Sequence, residues 1–275
     1  MDTAHSLLKF RALPDPSDFE DREWRQLAND IYGGTPSDDP IGSKEWYATV
    51  NHRKVWETTQ VARGLILSGA VHDGAIGLGV GVGVEPLTFF LAGRVGRLLA
   101  TDLYGFGWSS APLDMLFVPG QFAPYEFSAD RLSVLQMNGT NLLLPNASVD
   151  FVYSVSSIEH FGGQSGAARH ISQARRVLRP GGVLVFSTEF AILGTDIPDW
   201  CYTTDKLNRL IASSGLDLIH SPPEDPHRVL LNRPATLLLP QWNTKDDEKD
   251  RLSLRKGDFV YVPVVIVLRK ASDSQ

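Results

Sequence analysis

The sequence predicts an α/β protein built on a doubly wound, mostly parallel β-sheet. From Val71 onward, short apolar runs rich in β-branched residues alternate with segments of helical periodicity. That alternation is typical of a parallel sheet covered by helices on both faces. A glycine-rich turn follows the first strand, and a strong apolar strand lies near the end of the chain.

Seven strands and three helices are predicted in this region from their periodicity. The predicted strands are Ala75–Val80, Arg97–Thr101, Val134–Met137, Val149–Val155, Gly182–Thr188, Leu216–His220 and Phe259–Leu268. The predicted helices are Pro86–Ala92, Gly166–Leu178 and Thr203–Ser214.

The N-terminal part of the chain has a different pattern. Residues 1–70 are predicted to form a helical cap, and residues 71–275 the main domain. Apolar residues at helical spacing predict one helix over Ser17–Tyr32, with Ser17 as its N-cap, and a second over Ser43–Leu67. A polar, proline-bearing insert is predicted over 221–258. Its charge-dense part, Thr244–Arg251, is expected to be a solvated loop, with a binding patch as the alternative.

Composition and charge narrow the classes of partner. The chain has 275 residues and a formal net charge of −6, so we expect no nucleic-acid partner, because neutralising phosphates requires a concentrated basic surface. The single cysteine, Cys201, has no internal partner for a disulfide. The longest apolar runs, such as Val260–Leu268, are far shorter than the roughly 20 residues of a membrane span. Since the N-terminus lacks a secretory pattern, we expect a soluble cytoplasmic protein with no membrane partner.

The most informative segment is the glycine-rich turn between Ala75 and Glu85. Glycines let the backbone turn sharply and approach a ligand without a Cβ in the way. Gly79, Gly81 and Gly83 form an evenly spaced G-x-G-x-G. A dinucleotide fingerprint needs glycines at positions one, three and six, and here a valine occupies the sixth position in both registers.

An acid follows at the end of the second predicted strand. Asp102 lies 19 residues after Gly83 in the sequence. A carboxylate at that place can accept hydrogen bonds from two ribose hydroxyls, as in other doubly wound nucleotide folds. The alternative is that Asp102 caps a helix or stabilises a turn.

Two further segments, taken with the glycine loop and the strand-end acid, resemble the successive motifs of class I methyltransferases dependent on S-adenosylmethionine (SAM), of the type 11-like group. They are Met137–Leu142 followed by Leu144–Ser154, and Arg176–Val185. The resemblance covers about residues 71–220. It implies SAM as the cofactor and a Rossmann-like, seven-stranded sheet whose last strand, Phe259–Leu268, is antiparallel.

The resemblance also implies cofactor-binding roles for the glycine loop and for the end of the second strand. Gly79, Gly81 and Gly83 are implied to pass under the methionine part of SAM. Asp102 is implied to bind the ribose hydroxyls, and Leu103 to pack on the adenine.

Further roles follow for the ends of the third and fourth strands. Asn138 matches a position often held by an Asp that binds the adenine amino group, and Asn keeps an acceptor oxygen there. Gly139 is implied to offer backbone contacts to the same ring. Ser154 and the residues after it are implied to line the methyl-transfer centre. The chain departs from the family at Gly77, where Asp or Glu is usual, and Glu85 is the nearby acid that could replace it in part.

Candidate catalytic residues follow the fourth and fifth strands. Methyl transfer mainly needs alignment and exclusion of water, and an oxygen or nitrogen acceptor also needs a base. His160 titrates near neutrality and is the first candidate base; Glu189 is the second. For both residues the alternative is a structural role. The histidines lack the spacing of common metal sites, so no metal is predicted.

The preferred hypothesis is a methyltransferase that acts on a small molecule, with a hydroxyl of a sugar or natural product as the acceptor. Trp46, Trp56, Trp108 and Phe190 are candidates for apolar walls around it. The alternative is a non-catalytic SAM-fold protein that binds a partner or senses SAM, which the loss of the usual acid at Gly77 favours. A nicotinamide oxidoreductase is disfavoured by the glycine spacing. The sequence leaves the oligomeric state open.

Overall fold

The computed structural model describes residues 10–33, 53–107, 109–220 and 252–272. Within these residues, eight strands form one sheet. The strands are β1 (Ile76–Val80), β2 (Arg97–Asp102), β3 (Leu132–Gln136), β4 (Val149–Ser154), β5 (Leu178–Leu193), β6 (Asp217–His220), β7 (Leu254–Lys256) and β8 (Phe259–Arg269).

The sheet has the order β3-β2-β1-β4-β5-β8-β6, with β7 paired to β8. Strands β1 to β5 pair in parallel, whereas β8 is antiparallel to β5, β6 and β7. This arrangement confirms the predicted mostly parallel sheet with an antiparallel last strand. The additional strand β7 lies inside the predicted insert. It is only three residues long, too short for a periodic pattern, and Gly257 (φ +60°) helps turn the chain back into β8.

Five α-helices lie within the described residues. They are α1 (Arg22–Tyr32), α2 (Arg53–Leu67), α3 (Pro86–Ala92), α4 (Gly163–Val177) and α5 (Thr204–Ser213). The connection from β2 to β3 contains three short 3-10 helices instead of an α-helix, and another 3-10 turn, Ile158–His160, follows β4. Helices α3, α4 and α5 thus lie close to the bounds predicted for them.

The first helix begins later than predicted. A 3-10 helix over Pro16–Glu20 comes first, and the backbone of Asp21 is then extended (φ −69°, ψ 121°). The Asp21 side chain accepts a hydrogen bond from the Trp24 amide at 2.9 Å, so Asp21 is the N-cap of α1. The predicted cap, Ser17, instead donates its hydroxyl hydrogen bond to Asp15 at 2.9 Å.

Helix α2 packs directly onto the sheet, in the same hydrophobic core as β5 and β8. Gly64 lies so close to the strands that a Cβ there would be 3.1 Å from Val185 Cγ1 and 3.3 Å from Val267 Cγ2. Trp56 is fully buried, and its indole nitrogen donates to Asp18 at 2.9 Å. The described part of the predicted cap is therefore continuous with the core of the main domain.

Several predictions fall on residues that the structure does not describe. These are the predicted start of the second helix at Ser43, the aromatic candidates Trp46 and Trp108, and most of the insert. Among the described residues, no helix has the length and apolar character needed to cross a bilayer.

Candidate functional site

A cavity of about 820 Å³ opens at the carboxyl ends of β1, β2 and β4. Strand β1 lies between β2 and β4 in the sheet, so this is the place where the strand order reverses. Ligands of open α/β sheets bind at such a point. The walls come from the glycine loop after β1, the end of β2, the loop after β3, the turn after β4 and the first turn of α2.

The glycine loop forms one wall with its bare backbone. Gly81 and Gly83 have φ values of +69° and +50°, a region that favours glycine. A Cβ on Gly81 would lie 2.6 Å from Ser157 Cβ, and one on Gly83 would lie 2.3 Å from the Ser110 carbonyl oxygen. The Gly81 amide donates to the Thr101 carbonyl at 2.8 Å, which ties the loop to β2. Both positions therefore require glycine and expose backbone to the cavity.

The structure does not bring Gly79 to the cavity wall. A Cβ there would lie 2.5 Å from Val82 Cγ1 and 2.6 Å from Tyr153 Cζ, so this glycine is needed for packing beneath the loop. The same reason explains the missing acid at Gly77. A Cβ on Gly77 would lie 2.2 Å from Phe151 Cζ, and no larger side chain fits beside that ring.

Asp102 and Leu103 line the cavity at the end of β2. Asp102 Oδ2 accepts a hydrogen bond from the Gly83 amide at 2.8 Å, and Oδ1 accepts one from the Leu103 amide at 2.6 Å. Burial raises the pKa of Asp102, although both backbone hydrogen bonds oppose this shift. Each carboxylate oxygen can accept a second hydrogen bond, so the group remains able to bind hydroxyls.

The loop after β3 places Asn138 and Gly139 on the wall. Asn138 Oδ1 accepts hydrogen bonds from the Thr140 amide and hydroxyl, both at 2.9 Å, so the oxygen expected to bind adenine is already used within the loop. The Gly139 carbonyl accepts a hydrogen bond from His170 Nδ1 at 2.9 Å. Burial lowers the pKa of His170 to about 4, so this ring is neutral and supports the loop.

The chain reaches the cavity wall just after Ser154, the last residue of β4. Ser154 is fully buried, and the three residues that follow it line the wall. Ser156 has a positive φ of +43°, and its amide donates to Ser187 Oγ at 2.9 Å. Ser157 donates its hydroxyl hydrogen bond to the Gly81 carbonyl at 2.7 Å. The turn after β4 is thus bonded to both the glycine loop and β5.

His160 lines the same cavity, at the end of the 3-10 turn that follows β4. Its pKa is lowered from the usual value near 6.5, first by burial and then by the charge of Lys54. Lys54, from the first turn of α2, lines the cavity as well. The imidazole is therefore neutral near pH 7 and able to accept a proton.

Glu189 lies outside the cavity, in a buried ionic network. Arg53 Nη1 lies 2.6 Å from Glu189 Oε1 and 3.0 Å from Glu57 Oε1. Glu57 also accepts hydrogen bonds from the Ser187 hydroxyl at 3.2 Å and from the Ser156 hydroxyl. The second predicted catalytic residue thus serves to hold Arg53, and the network ties α2 to β5 and to the turn after β4.

Glu159 adds a second buried carboxyl behind the turn of His160. It is 4% exposed and accepts a hydrogen bond from the Thr188 hydroxyl at 3.2 Å. Burial, and then the nearby charge of Glu189, raise its pKa to about 8. Glu159 is therefore protonated at neutral pH and is buried behind the wall.

Sequence reasoning missed the contribution of α2 to the site. The spacing of Arg53, Lys54 and Glu57 does contain a signal, because charges three and four residues apart meet on one helical face. Two aromatic candidates for the walls, Trp56 and Phe190, are instead fully buried in the core.

A family model described as a methyltransferase domain matches residues 77–186. These residues contain the glycine loop, Asp102 and the turn after β4. A protein of Mycolicibacterium smegmatis, described as a "Probable S-adenosylmethionine-dependent methyltransferase", is 41% identical over 96 residues. That match covers 32% of this chain and 36% of the relative, so the chain matches about a third of its relative's length.

Solved structures share the fold at low sequence identity. A candidate sarcosine dimethylglycine methyltransferase of Galdieria sulphuraria has a TM-score of 0.52 and 15% identity, covering 90% of this chain and 98% of that one. The [4+2]-cyclase SpnF has a TM-score of 0.50 and 14% identity, covering 96% and 99%. Residues 77–186 are thus similar to a methyltransferase domain, and the cofactor that this similarity supports is SAM.

The residues of this cavity fit that cofactor. Backbone at Gly81 and Gly83 forms a cradle that any Cβ would obstruct, and Asp102 has lone pairs for ribose hydroxyls. Glu85 adds a carboxylate whose Oε2 is buried and accepts no hydrogen bond from the described residues. An acid of this kind suits the positive charges that SAM carries.

Proposed function

We propose that this protein transfers a methyl group from SAM to a small-molecule acceptor, and that the accepting atom is a hydroxyl oxygen of a sugar or natural product. One observation carries the proposal: His160 lies in the same cavity as the glycine loop and Asp102. A base within the cofactor's own cavity suits an acceptor that must lose a proton.

The chemistry assigned to the chain is proton removal and alignment. When bound, SAM supplies a methyl carbon on a positively charged sulfur, which keeps the bonding electron pair when that carbon is attacked. As the acceptor oxygen forms its new bond to carbon, His160 accepts the proton that the hydroxyl loses. The lowered pKa of His160 supports this role, because it keeps the imidazole unprotonated at neutral pH.

A stable wall around the reacting groups supports the same proposal. The network of Arg53 and Glu57 joins α2, which contributes Lys54, to Ser156 at the end of β4. Two separate parts of the cavity wall are thereby held in one arrangement. Fixed placement of the reactants is the main source of rate in such a displacement.

The direct test is methyl transfer from SAM that carries a radiolabelled methyl group. The purified protein is incubated with panels of sugars, glycosides and hydroxylated natural products, and both the labelled product and S-adenosylhomocysteine are measured. Label in a hydroxylated acceptor, reduced in the Asp102→Ala variant at a SAM concentration below saturation, is the expected result. Transfer to a nitrogen or carbon atom would overturn the choice of acceptor but keep the reaction class.

The second candidate is a protein of this fold that binds SAM without transferring its methyl group. The likeness to a [4+2]-cyclase favours keeping this alternative, because the fold alone does not determine the reaction. Calorimetry distinguishes the two candidates. SAM binding without transfer to any acceptor in the panel selects the second candidate, and no SAM binding at all contradicts both.

A further inference from the structure

Glu85 is a cavity residue with an unused hydrogen-bond acceptor. It directly precedes α3 and lines the cavity beside the glycine loop. Its Oε2 atom is buried and accepts no hydrogen bond from any described residue. A buried carboxyl oxygen without a hydrogen-bond partner is costly, so such an atom indicates a group that arrives with the ligand.

The position of Glu85 makes the missing bond more informative. Glu85 is the N-cap residue of α3, where a side chain commonly accepts a hydrogen bond from the first turn of the helix. Here the side chain makes no such bond. The carboxylate is therefore not used to cap its own helix.

The usual place for an acid is closed in this chain. A side chain at Gly77 would collide with Phe151, and a Cβ there would also lie 2.9 Å from Leu98 Cδ1. Gly77 therefore leaves no room for an acid at that position. Among the acids of the glycine loop and its flanks, Glu85 is the one that lines the cavity.

We propose that Glu85 binds the α-ammonium group of the methionine part of SAM. The inference rests on the proposed binding of SAM. The bond that forms is an N–H···O bond between the ammonium and the carboxylate, and the proton that leaves the carboxyl goes to the buffer. No other group changes its charge.

Burial and the charged groups around Glu85 explain why its carboxyl carries a proton before the ligand binds. Burial is the main cause that raises its pKa to about 8; Lys54 opposes this shift, and Glu57, Asp102 and Glu159 increase it. The phenols that also face this charge are Tyr32, Tyr104 and Tyr153. Near pH 7 the carboxyl is thus mostly protonated before the ligand binds. An ammonium in contact with it favours the ionised form and lowers the pKa.

The sign of the pH dependence follows. The ligand prefers ionised Glu85, so affinity rises as the pH rises towards about 8 and then levels off, because above that value the carboxyl is already ionised. As the pH falls below about 8, each binding event must remove a proton first. Affinity is then lost progressively.

The experiment is calorimetric titration with SAM and with S-adenosylhomocysteine at pH 7, in two buffers that differ in ionisation enthalpy. S-adenosylhomocysteine carries the ammonium but no sulfonium. Methylthioadenosine, which lacks the amino-acid part, serves as the reference ligand. The proteins are the wild type, Glu85→Gln, and Glu23→Gln as a control on the exposed side of α1.

Wild-type protein is expected to release a proton on binding S-adenosylhomocysteine but not on binding methylthioadenosine. Glu85→Gln should lower the affinity for S-adenosylhomocysteine by about tenfold or more, in line with loss of a charge-assisted hydrogen bond. It should also abolish the proton release and leave methylthioadenosine binding unchanged. Glu23→Gln should behave as the wild type.

Three results would overturn the inference while leaving the proposed function intact. The first is an affinity of Glu85→Gln for S-adenosylhomocysteine equal to that of the wild type. The second is an equal loss of affinity for S-adenosylhomocysteine and methylthioadenosine. The third is a loss of affinity for SAM alone, which would place Glu85 at the sulfonium. If the wild type binds neither SAM nor S-adenosylhomocysteine, the proposed function itself fails. Methylthioadenosine binding by Glu85→Gln shows that this variant is folded.

Discussion

Asp102 accepts a hydrogen bond from the backbone amide of Gly83, with 2.8 Å between Oδ2 and the nitrogen. This bond joins the end of β2 to the glycine loop after β1. Because the same carboxylate also accepts from the Leu103 amide, Asp102 has two roles. It holds the cavity wall in shape, and it has lone pairs left on the side of the cavity.

Replacement of Asp102 is expected to weaken SAM binding and to loosen the loop. Asp102→Ala removes charge-assisted hydrogen bonds of about 1.5–3 kcal/mol each, which corresponds to a loss of roughly tenfold or more in affinity. Asp102→Asn keeps one acceptor and should lose less thermal stability than Asp102→Ala. Calorimetry and melting curves measure the two effects, with exposed Asp114→Ala as the control. A SAM affinity unchanged in Asp102→Ala would contradict the placement of the ribose.

Replacement of Gly79 tests whether this glycine of the loop motif is needed for packing. Gly79→Ala places a methyl group against Tyr153 and Val82, and overpacking of this kind costs about 1–3 kcal/mol of unfolding free energy. Gly74→Ala is the matched control, because a Cβ there makes only an ordinary contact of 3.6 Å with His72. Urea unfolding compares the two variants. Equal stability in both would contradict the packing role assigned to Gly79.

The sequence predicted the features that depend on local chemistry. Gly81, Gly83 and Asp102 stand in a strand–turn–helix pattern whose spacing is enough to place them on the cavity, and the periodicity of the flanking segments predicted the sheet. The same reasoning misplaced Gly79, because its neighbour Tyr153 is 74 positions away in the chain. It also named Ser154 together with the residues after it, and in the structure those following residues line the cavity whereas Ser154 is buried.

The buried network of α2 was beyond sequence reasoning for a physical reason. Arg53 and Glu189 are separated by 136 positions, and nothing near either residue specifies the other. Each taken alone resembles an ordinary surface charge or a catalytic candidate. Only the packing of α2 against β5 brings the guanidinium and the carboxylate within hydrogen-bonding distance.

Arg53 is expected to be essential for stability. Arg53→Met leaves Glu189 buried without its cation, whereas Glu57 keeps Lys54 at 3.5 Å. Breaking a buried ion pair by removal of one partner costs about 3–5 kcal/mol. Glu189→Gln keeps an acceptor for the guanidinium and should cost less. A double-mutant cycle measured by chemical denaturation gives the coupling. If the changes in unfolding free energy of the two single variants add up to that of the double variant, the two residues do not interact in solution.

Replacement of His160 tests whether this residue is the base of the proposed methyl transfer. His160→Gln should lower kcat by roughly 10²-fold or more, the usual contribution of a general base, while SAM affinity stays unchanged. Since burial and Lys54 lower the pKa of His160, the wild-type rate should be flat near pH 7 and fall as the pH drops through a value below about 6.5, because the imidazole is then protonated. The variant should lose that dependence.

The control for this experiment is His72→Gln, at an exposed histidine outside the cavity. It should retain both the rate and the pH profile of the wild type. A fully active His160→Gln variant would mean that the acceptor needs no base from the protein. An acceptor of that kind is already nucleophilic in its neutral form, and a tertiary amine or a thioether would then replace the hydroxyl as the expected substrate.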